Sequence, residues 1–289
     1  MAEAEDGEPK GVKPRRTIIG NRIDETLARG FANRLLSQAQ AKFDFSKGRN
    51  LGHFRNKKSR MRAIEKIRNN HSGRFVAAIA SRDYFRAEVV ILGCQEVNNK
   101  RRLCAVACEL DFTDPNSKPS TYWIEYPLKA LNTSAFITEH ATIRLVQRAG
   151  VTDLDPFLKL MRPYWSWASV AHDIGRYLKH DFYWFCPIAS GLLAVTTETN
   201  LIKSGYFTVS TARTYIDATD MRPQIKKTWE RLNGMGALDN LPKFPRLSPA
   251  TADQYKCLDV MAQEGADWVR RHEHAVSKQG DPDLFSEAT

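Results

Sequence analysis

The chain has 289 residues, is 42% hydrophobic and 26% charged, and carries a formal net charge of +10. That length and apolar content support a sizeable core, in one large domain or two small ones. No run approaches the roughly eighteen apolar residues of a membrane-spanning helix, and the opening MAEAEDGEPKGVKPRR reads as a disordered lead, residues 1–16, into a cytoplasmic protein rather than as a secretory signal.

A basic helical region follows, residues 17–72. Within it, residues 22–43 read as a helix: Ile23, Leu27, Phe31, Leu35 and Ala39 recur near helical spacing, Asp24 and Glu25 sit in the first turn, and Gly30 lies inside. The stretch FDFSKGRNLGHFRN is a loop, and helical character resumes over residues 57–70, with Met61, Ile64 and Ile67 on one side. Between positions 47 and 74 there are ten Lys or Arg residues against one acid, Glu65. Such a concentration is the footprint of a polyanion, most often nucleic acid, although a solvated basic helix has the same pattern. The candidate phosphate contacts are Lys57, Lys58, Arg60, Arg62, Lys66 and Arg68.

Residues 73–240 read as an α+β core domain whose antiparallel sheet is flanked by helices. Gly73 ends the basic helix, and strand-like runs occupy residues 75–81, 88–97 and 103–112. Asn98-Asn99-Lys100 joins the last two as a hairpin, TDPNSKPS is a surface loop, and residues 121–126 form a fourth strand that Pro127 confines to an edge or a strand end. Next comes SAFITEHATIRLVQRAG, residues 134–150, in which Thr138 is the N-cap, Glu139 lies in the first turn and Gly150 is the left-handed stop. On this helix His140, Arg144 and Arg148 form one stripe with Gln147, while Ile143, Leu145, Val146 and Ala149 take the other side. The positive end of the helix dipole, with Arg144 one turn on, disfavours an imidazolium at His140 and leaves the ring as a proton acceptor. An amphipathic helix with a basic solvated face is the plainer account.

Residues 153–161 form a shorter helix with Pro156 in its first turn. Residues 163–187 carry eight aromatics (Tyr164, Trp165, Trp167, Tyr177, Phe182, Tyr183, Trp184, Phe185) interleaved with Arg176, Lys179 and His180. They read either as a base-stacking surface or as an aromatic core, and their density favours the core. The same stretch holds a second His-x-x-x-Arg, His172 with Arg176. A second hairpin joins residues 191–198 and 205–216 through TNLIKS; its alternation puts Phe207 and Val209 on the core face and Tyr206, Thr208, Ser210 and Thr214 on a hydroxyl-bearing face. Residues 222–232 and 251–275 are helices separated by a Pro-rich connector, residues 241–249, and residues 241–289 form a C-terminal region ending in the acidic tail DPDLFSEAT.

The five cysteines (Cys94, Cys104, Cys108, Cys186, Cys257) are odd in number and contain no C-x-x-C, so neither a disulfide framework nor a zinc site is indicated; core packing accounts for Cys104 and Cys108. P-loop, G-x-G-x-x-G, H-E-x-x-H and G-x-S-x-G motifs are absent. His272-Glu273-His274 reads as a solvated helix face, and Asp217 with Asp220 as N-caps, in preference to metal ligands. No cofactor is expected. Metal-free phosphodiester chemistry remains: a base for the 2′-hydroxyl proton, cations for the phosphorane oxygens and hydroxyls that hold the phosphate in line.

The pattern His140-Ala141-x-x-Arg144-x-x-x-Arg148 heading a helix, followed by a hairpin whose last strand reads Arg213-Thr214-Tyr215-Ile216, resembles the barnase, EndoU, colicin and RelE-like group of metal-free ribonucleases and toxins. The resemblance covers about a third of the chain. It implies a compact antiparallel sheet with helices on one face, RNA in preference to DNA as substrate, and cleavage by transesterification. It makes His140 the acid/base, Arg144 and Arg148 phosphate ligands, and Thr214 a phosphate-positioning hydroxyl. The competing expectations are a non-catalytic nucleic-acid-binding accessory protein of phage or plasmid type and an assembly protein with a basic docking patch.

Overall fold

The structure, a computed structural model, describes residues 22–40, 56–82, 84, 86–97, 99–111, 129–131, 135–202, 205–244 and 249–279. The N-terminal lead, the loop before the basic helix, the expected strand at residues 121–126, the middle of the Pro-rich connector and the acidic tail lie outside the described residues. The fold is α+β: among the described residues, one mostly antiparallel sheet with six α-helices. Among the described residues no helix is long and apolar enough to cross a membrane.

In chain order the elements are α1 (Glu25–Gln40), α2 (Lys57–Asn70), β1 (Phe75–Ala80), β2 (Arg86–Val97), β3 (Lys100–Asp111), β4 (Lys129–Leu131), β5 (Ala135–Thr138), α3 (Glu139–Ala149), α4 (Leu154–Leu178), β6 (Phe182–Ile188), β7 (Gly191–Ile202), β8 (Gly205–Asp217), α5 (Pro223–Gly234) and α6 (Ala252–Gln279). The strand order is β1-β2-β3-β5-β8-β7-β6, with β4 also paired to β3. Both expected hairpins form, Val97 pairing with Lys100 and Ile202 with Gly205, so TNLI of the expected second loop belongs to β7. The element that unites them was not foreseen. Residues 135–138 are a strand, antiparallel to β3 and parallel to β8, so the sheet is antiparallel except at this one pair.

Period-two alternation gives the sheet two unlike faces. Val90, Leu92, Leu103, Ala105 and Ile137 face the main core with buried residues of α1, α3 and α4. Cys104, Val106 and Phe136 cluster on the far face, and Ala87, Val89 and Ile91 of that face pack under Ala63 and Ile67 of α2. In α1 the buried residues are Ala28, Ala32, Leu35, Leu36 and Ala39, while Leu27, expected inside, is 60% exposed. The three small alanines, with Leu35 and Leu36, set the contact side, rotated from the line of large residues that spacing alone suggests.

The helix α4 corrects the expected short helix, because it runs on through Pro163 for 25 residues. An interior proline costs about 3 kcal/mol. Here Tyr164, Trp165 and Trp167 are essentially fully buried just beyond it, and this burial outweighs that cost. The Tyr164 hydroxyl lies 2.6 Å from the Phe136 carbonyl and 3.0 Å from that of Ser210, bridging the parallel strands β5 and β8, and its ring stacks on Trp184. Tyr164→Phe keeps the ring but leaves these carbonyls short of a donor, so it is expected to cost about 1–3 kcal/mol in urea unfolding; a melt identical to wild type would refute the bridge. The aromatic run resolves mainly as core: Trp184 and Phe185, the remaining buried members, sit on β6, a strand not anticipated, whereas Tyr177 and Tyr183 are exposed.

A bulge in β8 reorders the expected hydroxyl face. Ala194 pairs with Thr214 but Val195 with Ala212, leaving Arg213 as the extra residue. Thr208, Ser210, Ala212 and Tyr215 therefore share the core-facing side, all buried, and Thr214 falls on the other face. The expectation that Thr208, Ser210 and Thr214 present together to solvent is thereby overturned. The side with the hydroxyls lies beneath α4: the Thr197 and Ser210 hydroxyls are 2.9 Å apart, and the Trp184 indole donates to Thr197 at 2.8 Å.

Candidate functional site

The basic helix α2 begins at Asn56, whose side chain accepts from the Ser59 amide at 2.9 Å while Ser59 Oγ accepts from the Asn56 amide, a reciprocal capping box. Ala63 and Ile67 fix its orientation by packing on β2. Lys57, Lys58, Arg62 and Arg68 consequently project into solvent beside Met61, which is 44% exposed. Two of the six expected contacts sit elsewhere: Arg60 is only 5% exposed on the inner side, and Lys66 is half-buried. The helix ends are steadied by cations over rings, Lys57 Nζ 5.4 Å from the Tyr84 centroid and the Arg68 guanidinium 5.5 Å from that of Phe75. Arg74 donates to the Ala39 carbonyl at 3.3 Å, tying the end of the basic segment to α1.

The second candidate region is the edge of α3. Its caps form as the sequence indicates: Thr138 Oγ1 accepts from the Ala141 amide at 3.1 Å, and Gly150 takes a left-handed φ of 69°. His140 is exposed, and Arg144, Gln147 and Arg148 are partly so. Because β5 is only four residues long, β8 runs on past its partner, and α3 lies along the strand from there. Thr138 donates to the Arg213 carbonyl at 2.9 Å and Arg148 to the Tyr215 carbonyl at 3.2 Å, satisfying backbone acceptors that a longer β5 would have paired. The helix and strand of the resemblance thus meet, but through main-chain carbonyls. Arg148 has a structural bond, Arg144 donates to Gln147 at 2.7 Å, and the Thr214 side chain leaves β8 opposite that of Tyr215. Glu25 of α1 is near enough to feel the charge of Arg144, and its carboxyl is held below the ordinary range, first by its hydrogen bond to Arg29.

His172, the rival histidine, is partly buried on α4 with Nδ1 2.9 Å from the Thr208 carbonyl, so that nitrogen carries the proton. This bond ties α4 to β8 within the core. Asp217 accepts from the Thr219 amide at 2.8 Å and from the Tyr215 hydroxyl at 3.2 Å, which shapes the turn after β8, and Asp220 pairs with Arg22; neither is the expected N-cap, since Arg222 holds that place in α5. Among the described residues no cluster of three or more His, Cys, Asp or Glu is arranged to hold a metal. The side chains of His272, Glu273 and His274 lie outside the described residues.

Sequence reasoning missed Arg102 and Arg213 as a pair. Arg213 donates to Thr196 Oγ1 at 2.9 Å and pairs with Glu198 on the far face of the sheet, and Arg102 lies two strands away on the same face. The alternation of Arg102, Cys104 and Val106 along β3, and of Val209, Thr211 and Arg213 along β8, was a readable signal for that face, whereas the short β5 that brings the two strands within reach of each other was not.

The buried acids of the core fix a pH limit. Burial pushes the Cys257 thiol up to about 11, and it raises the Cys186 thiol and the Tyr164 and Tyr215 hydroxyls as well. For groups whose folded pKa exceeds the unfolded value, the stabilisation is complete below the unfolded pKa, near 8.5 for thiols and 10 for phenols, and is lost as pH rises toward the folded value. Stability measured by urea unfolding is therefore expected to hold up to about pH 8 and to fall progressively between about pH 8.5 and 11. A flat profile through pH 11 would mean that these groups ionise freely.

No family model, curated protein or solved structure matches this chain.

Proposed function

We propose that the chain is a nucleic-acid-binding protein, with RNA favoured over DNA, and that the outer side of α2 is its principal docking surface. The observation that carries this reading is the orientation of α2, whose apolar residues are held on β2 so that Lys57, Lys58, Arg62 and Arg68 are set outward on a fixed helix. Four cations on a packed element neutralise phosphates without first being ordered, and the counterions they displace drive association. Titrating labelled single-stranded RNA and DNA of one sequence across a salt series tests it: binding that weakens steeply with salt supports the reading, and no binding at 50 mM salt would end it.

The α3 edge favours a second reading, a metal-free endoribonuclease, because an exposed His140 sits one turn from Arg144 where α3 runs along β8. In that chemistry His140 takes the 2′-hydroxyl proton as the 2′-oxygen bonds to phosphorus, Arg144 faces the charge developing on the phosphorane, and the P–O5′ bond breaks with the proton passed to the leaving 5′-oxygen, so that the products are a 2′,3′-cyclic phosphate and a 5′-hydroxyl. Cleavage that survives EDTA and is abolished by His140→Ala, with little change in melting, is the expected result. Retained cleavage in that variant, or an inactive wild type, would leave binding alone.

A further inference from the structure

The far face of the sheet, on which α2 lies, holds a second cationic feature. Val106 and Cys104 mark that face on β3, so Arg102, two residues before Cys104, projects there too. On β8 the alternation of Val209, Thr211 and Arg213 puts Arg213 on the same side, where its Nε reaches Thr196 and its Nη2 reaches Glu198. Arg102 is opposite Thr138 of β5, and β5 pairs directly with β8, so the two arginines stand two strand spacings apart, roughly 10 Å between backbones. Two guanidinium groups on side chains of that length reach a single group between them. Glu198 is ion-paired with Arg213, while the Arg102 guanidinium is disfavoured first by burial and then by the repulsion of Arg213, with the attraction of Glu198 as a smaller offset.

The Nε of Arg102 is buried and finds no hydrogen-bond partner among the described residues. A buried N–H without an acceptor is a rare and costly feature of a folded chain, and an oxyanion is the ligand that removes the cost and the like-charge repulsion together. We propose that Arg102 and Arg213 form a phosphate-binding site, and that it is filled by a phosphodiester of the strand docked on α2, a placement that rests on the nucleic-acid reading above. The path is short: from β2 beneath α2, across β3 and β5 to β8, is about three strand spacings, roughly 14 Å. Guanidinium suits the task, since its planar fork presents two parallel N–H groups to two phosphate oxygens.

The test compares wild type with Arg102→Gln and Arg102→Lys, using a labelled single-stranded RNA oligonucleotide across a salt series and, separately, inorganic phosphate read by thermal shift. Lys159→Gln, a change of equal charge on the exposed start of α4, is the control. The site predicts that Arg102→Gln weakens oligonucleotide binding about tenfold and lowers the slope of log K against log salt by about 0.7, that Arg102→Lys weakens it less, and that the control does neither. Should Arg102→Gln melt too early to be titrated, Arg102→Lys carries the comparison. Equal affinity and slope in wild type and both Arg102 variants would overturn the site while leaving the α2 reading intact. If wild type binds no oligonucleotide but phosphate raises its melting temperature and not that of Arg102→Gln, the site binds a free phosphate group and the nucleic-acid reading fails. No effect of either probe would overturn both.

Discussion

Gly265→Ala is expected to destabilise the fold by about 2 kcal/mol, although alanine is the better helix former by about 1 kcal/mol. Gly265 lies inside α6, which runs against β6, the outermost strand. A Cβ added there would sit 2.6 Å from Trp184 Cα, 2.7 Å from its amide nitrogen and 2.7 Å from the Tyr183 carbonyl carbon. All three are backbone atoms of β6, so no rotamer change relieves the contact and the helix must back away. That movement would loosen Cys257, Leu258 and Met261, which are buried in the core, and the edge-to-face contact of Trp268 with Phe185. Overpacking of this kind costs about 1–3 kcal/mol, and rigid neighbours place it at the upper end. The companion change Gly30→Ala has the opposite expected sign, because nothing lies within 4 Å of its added Cβ inside α1. It should gain up to about 1 kcal/mol. Urea unfolding of the two variants in parallel decides the matter, and a stabilised Gly265→Ala would disprove the close approach of α6 to β6.

The same contrast explains which parts of the fold were legible in the chain. Signals carried by neighbouring residues were reliable: the Thr138 cap and Gly150 stop bound α3, and the alternation of β2 and β3 with asparagines between them gives the hairpin. Features decided by distant partners were not. Pro163 marks a helix end by any local rule, yet α4 continues because Tyr164 and its neighbours are buried against the sheet. β6 lies in an aromatic run without clean alternation, since a strand that packs Trp184 on Tyr164 of α4 and Phe185 on Trp268 of α6 has little polar surface to reveal it. The bulge at Arg213 shifts Thr214 away from Ser210, and a one-residue slip inverts every side chain beyond it. For the candidate site, the basic content of α2 was plain from composition, but the helix phase was not. Arg60 turns inward and Met61 outward because Ala63 and Ile67, with little bulk at the former, set the side that meets β2.

That phase leads to the larger functional prediction. Replacing Lys57, Lys58, Arg62 and Arg68 together with alanine is expected to lower RNA affinity at 0.1 M salt by roughly 10²–10³-fold and to reduce the slope of log K against log salt by about three, if each cation neutralises one phosphate of a single strand at about 0.7 per contact. The fold should survive, because all four side chains are exposed and alanine favours a helix at least as well as lysine or arginine. The loss of Lys57 over Tyr84 and Arg68 over Phe75 removes only cation–ring contacts at the helix ends, worth about 0.5–1 kcal/mol each at exposed sites. Arg60→Ala has the reverse profile: at 5% exposure its side chain is part of the packing, so that substitution should lower stability and leave the salt slope unchanged. The two measurements together separate a docking face from a merely solvated one. A fourfold variant that binds RNA with the slope of wild type would show that α2 is charged for solubility alone, and would move the interface to the His140 edge of α3.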